Sequence, residues 1–155
     1  MKSGAGETSI HATVVAVGEA GVLIRGASGS GKSRLAQALI AEGAARGLFA
    51  MLVADDRAKL TAVSGRALAR PLASNAGLIE ERGTGLLKVE HEPAVVVRCV
   101  IDLDPPSPGE SGDRLPEEAD GRAELLGVSL PRLRLARDIS PREGAARVLS
   151  RLERE

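Results

Sequence analysis

The chain has 155 residues, enough for one well-cored domain and short for two. Its 21 basic and 21 acidic residues cancel, so no net field draws it to nucleic acid or to an anionic membrane. Apolar residues make up 43%, yet Phe49 is the sole aromatic: the core must be built from Val, Leu, Ile and Ala, and stacking platforms for single-stranded nucleic acid are missing.

Residues 1–8 are Gly-rich without an apolar h-region, which predicts a flexible N-terminus and no signal peptide. No later segment reaches membrane-span length. The single cysteine, Cys99, lies inside an apolar run and reads as a small hydrophobe; one cysteine allows no internal disulfide. A soluble cytoplasmic protein is expected. Val14–Val17 and Val22–Arg25 read as two short strands joined by a turn at Gly18-Glu19-Ala20-Gly21. If Val17 faces Val22, then Val14 faces Arg25 and His11 faces Ser28, which would bring His11 beside the next loop. A surface histidine at a frayed strand start is the competing reading.

That next loop is Gly26-Ala27-Ser28-Gly29-Ser30-Gly31-Lys32-Ser33, the full G-x-x-x-x-G-K-[ST] pattern of a phosphate-binding loop. Its glycines bring backbone N–H groups close to phosphate oxygens, Lys32 neutralises the β and γ phosphates, and the Ser33 hydroxyl can ligate Mg²⁺. A strand-like run precedes the loop. Leu35, Leu39 and Ile40 follow at helical spacing, so a helix is predicted from about Lys32 to Ala45, with Gly43 and Gly47 as stop signals.

Phe49–Ala54 reads as a buried strand ending in Asp55-Asp56. Lys59–Val63, Ala67–Leu72, Leu86–Val89 and Val95–Leu103 are further strand-like runs, with a turn at Ser64-Gly65. Residues 104–121 are rich in Pro, Gly and acid and predict a mobile surface loop, or a plain linker. Ser140-Pro141-Arg142-Glu143 is a capping box that opens a last helix, with Ala145, Val148, Leu149 and Leu152 as its apolar stripe. With strands outnumbering helices, a mixed α/β sheet containing antiparallel pairs is expected.

Chemistry-bearing residues cluster around these breaks. Ligands of open α/β sheets sit at the carboxyl ends of strands, which puts Asp55 and Asp56 near the phosphate loop. One of the two can touch Mg²⁺ or take a proton from an attacking hydroxyl while the other braces the turn; two aspartates solvating a strand end is the plainer alternative. Glu80-Glu81-Arg82-Gly83-Thr84-Gly85 reads as a charged turn whose glycines permit close approach to a ligand. A carboxylate there can complete a Mg²⁺ shell with Ser33. Arg114, in the 104–121 loop, is either a clamp over the phosphates or a solvated charge.

These pieces, in this order, resemble the catalytic domain of HPr kinase/phosphorylase, the bifunctional bacterial regulator of the phosphotransferase system. The likeness rests on Ile10-His11, Gly21–Ile24 leading into Gly26–Ser33, Leu52–Arg57, Leu78–Gly85 and Asp113-Arg114-Leu115. It covers roughly residues 10–135, and is nearest to the short, catalytic-domain-only forms of alphaproteobacteria. The resemblance implies a single phosphate-loop kinase-like domain over 9–155, with a strand-rich mixed sheet of the HPr kinase/PEP carboxykinase-like type. It implies ATP and Mg²⁺ as cofactors, HPr as protein substrate, phosphate and pyrophosphate in the reverse reaction, and a hexameric family assembly. By the same likeness Asp56 acts as base and acid, Lys32 holds the transferring phosphate, and Ser33 and Glu80 hold Mg²⁺. His11 and Arg114 lie in the active site, and residues 80–89, Arg82, Gly83 and Gly85 among them, form the turn linked to both reactions. The chain departs from the family pattern at Arg34, where the family has Glu, and at Glu81 and Thr84; no tyrosine precedes Asp113, and the family's C-terminal motif is unreadable beyond Leu130-Pro131-Arg132-Leu133. A small-molecule kinase on a related fold and a nucleotide-sensing adaptor of a sensor kinase or transport system are the alternative readings.

Overall fold

Apolar residues alternate from face to face along the central strands, and the alternation builds a core on each side of one sheet. The computed structural model describes residues 6–27, 29–81, 83–104, 121–136 and 138–154. Its strands are β1 (Glu7–Ile10), β2 (Thr13–Val17), β3 (Ala20–Arg25), β4 (Ala50–Ala54), β5 (Ala58–Val63), β6 (Arg66–Arg70), β7 (Leu78–Glu81), β8 (Gly85–Lys88), β9 (Val95–Asp104), β10 (Arg122–Leu125) and β11 (Val128–Ala136). Two helices accompany them, α1 (Lys32–Ala45) and α2 (Pro141–Glu153). The main sheet runs β1-β5-β6-β9-β3-β2-β4; β11 also pairs with β9, β10 folds back on β11, and β7-β8 forms a separate hairpin. β9 is parallel to β3 and to β11, while the other neighbours are antiparallel, so the expected mixed, strand-rich sheet is what forms.

One core gathers Val14, Ala16, Leu23, Val53, Val97 and Val100 with Ala58, Leu60 and Ala69 from the outer strands. The other gathers Val15, Val22, Ile24, Cys99, Ile101 and Leu103 against Leu35 and Leu39 of α1 and Val148 and Leu149 of α2. The long strand β9 also serves both, and its alternation changes phase at a bulge. Gly21 pairs with Val97 but Val22 with Cys99, leaving Arg98 as the extra residue, exposed to solvent. The bulge reverses the inside–outside alternation, so Val97 and Val100 share one face and Cys99 and Ile101 the other. Cys99 is fully buried, as a small hydrophobe would be.

Three sequence expectations change. The β2–β3 turn has two residues instead of four, because Gly18 adopts φ 60° and a tight primed turn follows the strand twist. Val17 therefore faces Ala20 and Val14 faces Leu23, and the register that opposed Val14 to Arg25 and His11 to Ser28 does not form. Glu7 and Thr8, expected within a flexible 1–8 segment, pair with Thr61 and Leu60 in β1, since the β5 edge supplies free backbone partners; residues 1–5 lie outside the described residues. Helix α1 runs through Gly43, which packs against Ala50, and stops at Gly47. The loop expected at 104–121 lies outside the described residues over 105–120. Helix α2 starts as its sequence predicts: the Ser140 hydroxyl accepts from the Glu143 N–H, and Pro141 takes the first helical position.

At the carboxyl ends of β3 and β9, paired across the parallel ladder, Arg25 and Asp102 form a fork: Nε donates to Oδ1 at 2.8 Å and Nη2 to Oδ2 at 2.9 Å. Arg132 on β11 donates its Nε to the same Oδ2. Burial pushes the Asp102 carboxyl up, but hydrogen bonds from Arg25 and Arg132 and their charges outweigh it, leaving the group below the usual carboxylate range. A depressed folded value means the stabilisation is full above the ordinary aspartate pKa of about 3.9 and is lost as pH falls through the folded value. Asp102→Asn should lower the unfolding free energy by about 2–4 kcal/mol at neutral pH, as read by urea denaturation. The gap to the unaltered protein should narrow below about pH 4, and a gap independent of acid would contradict the assignment.

Candidate active site

Strands β3, β4, β9 and β11 all point their carboxyl ends to one edge of the sheet, because β4 and β3 are each antiparallel to β2 and β9 is parallel to β3 and to β11. The phosphate loop leaves β3 at that edge, and Asp55-Asp56 leave β4 there. Loop and helix are continuous: Gly31, with φ 104°, caps α1, and the Leu35 N–H donates to the Gly31 carbonyl at 2.9 Å. Gly26 is required by close approach, since a Cβ there would stand 2.5 Å from the Ser30 hydroxyl oxygen. Lys32 is only 4% exposed, and its ammonium is held by the Gly26 carbonyl at 2.9 Å and the Ala27 carbonyl at 3.3 Å. The third partner is the Asp56 carboxylate at 3.5 Å. A buried lysine needs such partners, and these aim its charge at the mouth of the loop.

The two aspartates divide sharply. Asp55 is buried, and its carboxylate accepts from Ser33 Oγ at 2.6 Å and Thr13 Oγ1 at 3.0 Å through Oδ1, and from the Glu80 N–H at 2.9 Å through Oδ2. Asp56 is about half exposed and takes φ 70°, a left-handed conformation that Asp tolerates better than most residues. Its backbone is pinned on both sides: the Asp56 N–H donates to Thr13 Oγ1 and the Asp56 carbonyl accepts from the Ala12 N–H, each at 3.0 Å. The left-handed turn directs the Asp56 carboxylate to Lys32 and to His11 Nδ1, 3.8 Å away. So His11 does reach the site, through the β1–β2 corner and not through the hairpin register. Asn75 clamps the same strand end, its Nδ2 donating to the carbonyls of Asp55 at 2.8 Å and Arg57 at 2.9 Å.

A cavity of about 420 Å³ is lined by Gly29, Gly31, Lys32, Ser33, Arg34, Asp56 and Glu80. Glu80 and Glu81 lie on strand β7 and not in the turn, because β7 and β8 pair from Leu78 to Glu81; the turn comes after Glu81. Gly83 and Gly85, at φ 81° and 96°, serve that turn and do not line the cavity. Ser28, Arg82 and Arg114 lie outside the described residues. Three site residues had no signal in the sequence reading. Thr13 is the first residue of an apolar strand, Asn75 sits in an unremarkable turn, and Arg34 stood out only as a departure from a pattern.

The donor set suits a hard cation beside phosphate. By giving its proton to Asp55, the Ser33 hydroxyl turns its lone pairs outward, which is the orientation a hydroxyl ligand requires. Among the described residues no group of three His, Cys, Asp or Glu side chains could by itself hold a metal.

The family described as HPr Serine kinase C-terminal domain matches residues 2–146, and the chain belongs to it. HPr kinase/phosphorylase of Streptococcus equinus is 33% identical over 136 residues, covering 83% of this chain and 42% of that protein. The Clostridium beijerinckii HPr kinase/phosphorylase is 36% identical over 83 residues, 54% of this chain and 26% of that protein. The chain thus spans less than half the length of these curated relatives. The structure of the Hpr(Ser) kinase/phosphatase from Coxiella burnetii superposes with a TM-score of 0.73 at 24% identity, over 94% of this chain and 97% of that one, which establishes the shared fold. Among the described residues, no helix is long and apolar enough to cross a membrane.

Thr13→Val keeps the side-chain shape but removes the hydroxyl shared by Asp55 and the Asp56 N–H. It should cost about 1–3 kcal/mol of stability in urea denaturation. A loss within error of zero would mean that the hydroxyl does not hold the pair.

Proposed function

We propose that this chain transfers the γ-phosphoryl group of ATP to a serine of the phosphotransferase-system protein HPr, and that it also runs the reverse phosphorolysis. The observation that carries the reading is the placement of one exposed carboxylate, Asp56, on the wall of the phosphate-loop cavity and 3.5 Å from the Lys32 ammonium. The seryl hydroxyl gives its proton to Asp56 as its oxygen bonds to the γ-phosphorus, and the bond to the β–γ bridging oxygen breaks to release ADP. Lys32 neutralises charge gathering on the transferring group, and the loop N–H groups hold the β-phosphate. Because such transfers involve little covalent participation by protein, positioning and charge supply most of the rate.

Ser33 and Glu80 would hold Mg²⁺, which when bound would supply further positive charge to offset the negative charge of the phosphates. Asp55 orients Ser33 by accepting its proton. In the reverse direction a phosphate oxygen attacks the phosphoserine phosphorus, the seryl oxygen leaves with the proton stored on Asp56, and pyrophosphate departs. His11, close to Asp56, orients that carboxylate, and the family likeness assigns Arg114 to the same active site. Family membership supports a protein acceptor over a small-molecule acceptor or a catalytically silent adaptor.

Mass spectrometry of HPr after incubation with this protein and Mg-ATP should find one added phosphoryl group on serine, removed again by excess inorganic phosphate with pyrophosphate release. Asp56→Asn should slow both directions by about 10²–10⁴-fold while ATP still binds. Unmodified HPr over a range of enzyme concentrations would defeat the reading.

A further inference from the structure

A second cavity, of about 400 Å³, opens on the other flank of the phosphate loop. Gly29, Gly31 and Arg34 line both cavities, so the two meet along the rim of the loop. The chemistry of the second is different. Leu35, Leu103 and Ile139 give it apolar walls, Arg34 stands at the shared rim, and Asp138 contributes an exposed carboxylate. Its floor is fixed by packing: Leu35 and Leu103 belong to the helix-side core, Ile139 packs against that core, and the Ile139 N–H donates to the Ala136 carbonyl at 3.0 Å. The volume lies within the range of about 300–1,000 Å³ common for small-ligand sites, and apolar walls with a few polar groups are their usual lining.

We infer that this second cavity receives the purine base of the nucleoside triphosphate, with Asp138 accepting a hydrogen bond from an exocyclic amino group. The inference rests on the proposal that the loop holds the triphosphate, and it adds where the rest of the nucleotide lies and which bases are preferred. A carboxylate is an acceptor only, so it favours a base that presents an amino group and repels one that presents a carbonyl there. Aliphatic side chains floor the ring in place of aromatic ones, consistent with a chain whose single aromatic, Phe49, lies at the far end of β4. The Arg34 guanidinium, planar and weakly hydrated, covers the exposed side of the ring and the adjoining phosphate.

Calorimetric titration with ATP, ITP and inorganic tripolyphosphate, each with equal Mg²⁺, tests this. Adenine and hypoxanthine match in size but differ in the exocyclic group. ATP should bind about tenfold or more tighter than tripolyphosphate, with ITP between them. Asp138→Ala, an exposed position, should erase the preference of ATP over ITP and leave tripolyphosphate binding unchanged. Ile139→Arg should fill the cavity and reduce ATP to the affinity of tripolyphosphate, with thermal melting checking that the variant is folded. Equal binding of ATP and tripolyphosphate by the unaltered protein would overturn the base site while sparing the phosphate site. So would an ATP-over-ITP preference that survives Asp138→Ala. Failure of all three ligands to bind would instead bring down the phosphate-site reading and the base site with it.

Discussion

The Asp55 carboxylate joins three parts of the chain that lie far apart in sequence. Thr13 from the start of β2, Ser33 from the first turn of α1 and the backbone N–H of Glu80 from the β7–β8 hairpin all donate to it. A buried carboxylate needs its donors; with one removed, a polar group out of water is left with an open valence. The geometry of the site follows. Ser33 is rotated outward, the hairpin carrying Glu80 is drawn against the phosphate loop, and the β4 end is held so that Asp56 enters a left-handed turn. Neighbouring aspartates that look equivalent in the sequence thus hold unlike posts, one structural and sealed, the other open to the cavity.

The sheet supplies the rigid frame on which this joint acts. Its two cores clamp β2, β3 and β9 from both faces, and the bulge at Arg98 sets which β9 residues enter each. At the edge where the strands deliver their carboxyl ends, the Arg25–Asp102–Arg132 cluster ties β3, β9 and β11 together just before the phosphate loop begins. Residues set on strand ends and a helix N-terminus are held more tightly than residues on free loops, and alignment of a hydroxyl with a phosphorus depends on such precision.

Local features were legible in the sequence to the extent that their cause was local. The phosphate loop, the α1 span and the Ser140 cap announce themselves because glycine spacing and capping chemistry are short-range properties. The mixed sheet followed from counting strands against helices. The β2–β3 register was not legible, since a two-residue and a four-residue turn suit the same Gly-Glu-Ala-Gly string and only packing chooses between them. The division of labour between Asp55 and Asp56 was invisible for a similar reason. It depends on Thr13 and Glu80, 42 and 25 residues away in sequence from Asp55. Arg34 looked like a departure from a pattern until the cavities showed it standing at their shared rim.

The central claim is that loop, sealed aspartate and open aspartate enclose one triphosphate. A crystal structure of this protein with Mg²⁺ and a non-hydrolysable ATP analogue tests it most directly. The account predicts the β-phosphate within the Gly29–Ser33 backbone and the Asp56 carboxylate facing the γ-phosphorus, with space between them for a hydroxyl oxygen. An analogue bound elsewhere, or an Asp56 turned away from the terminal phosphate, would contradict it.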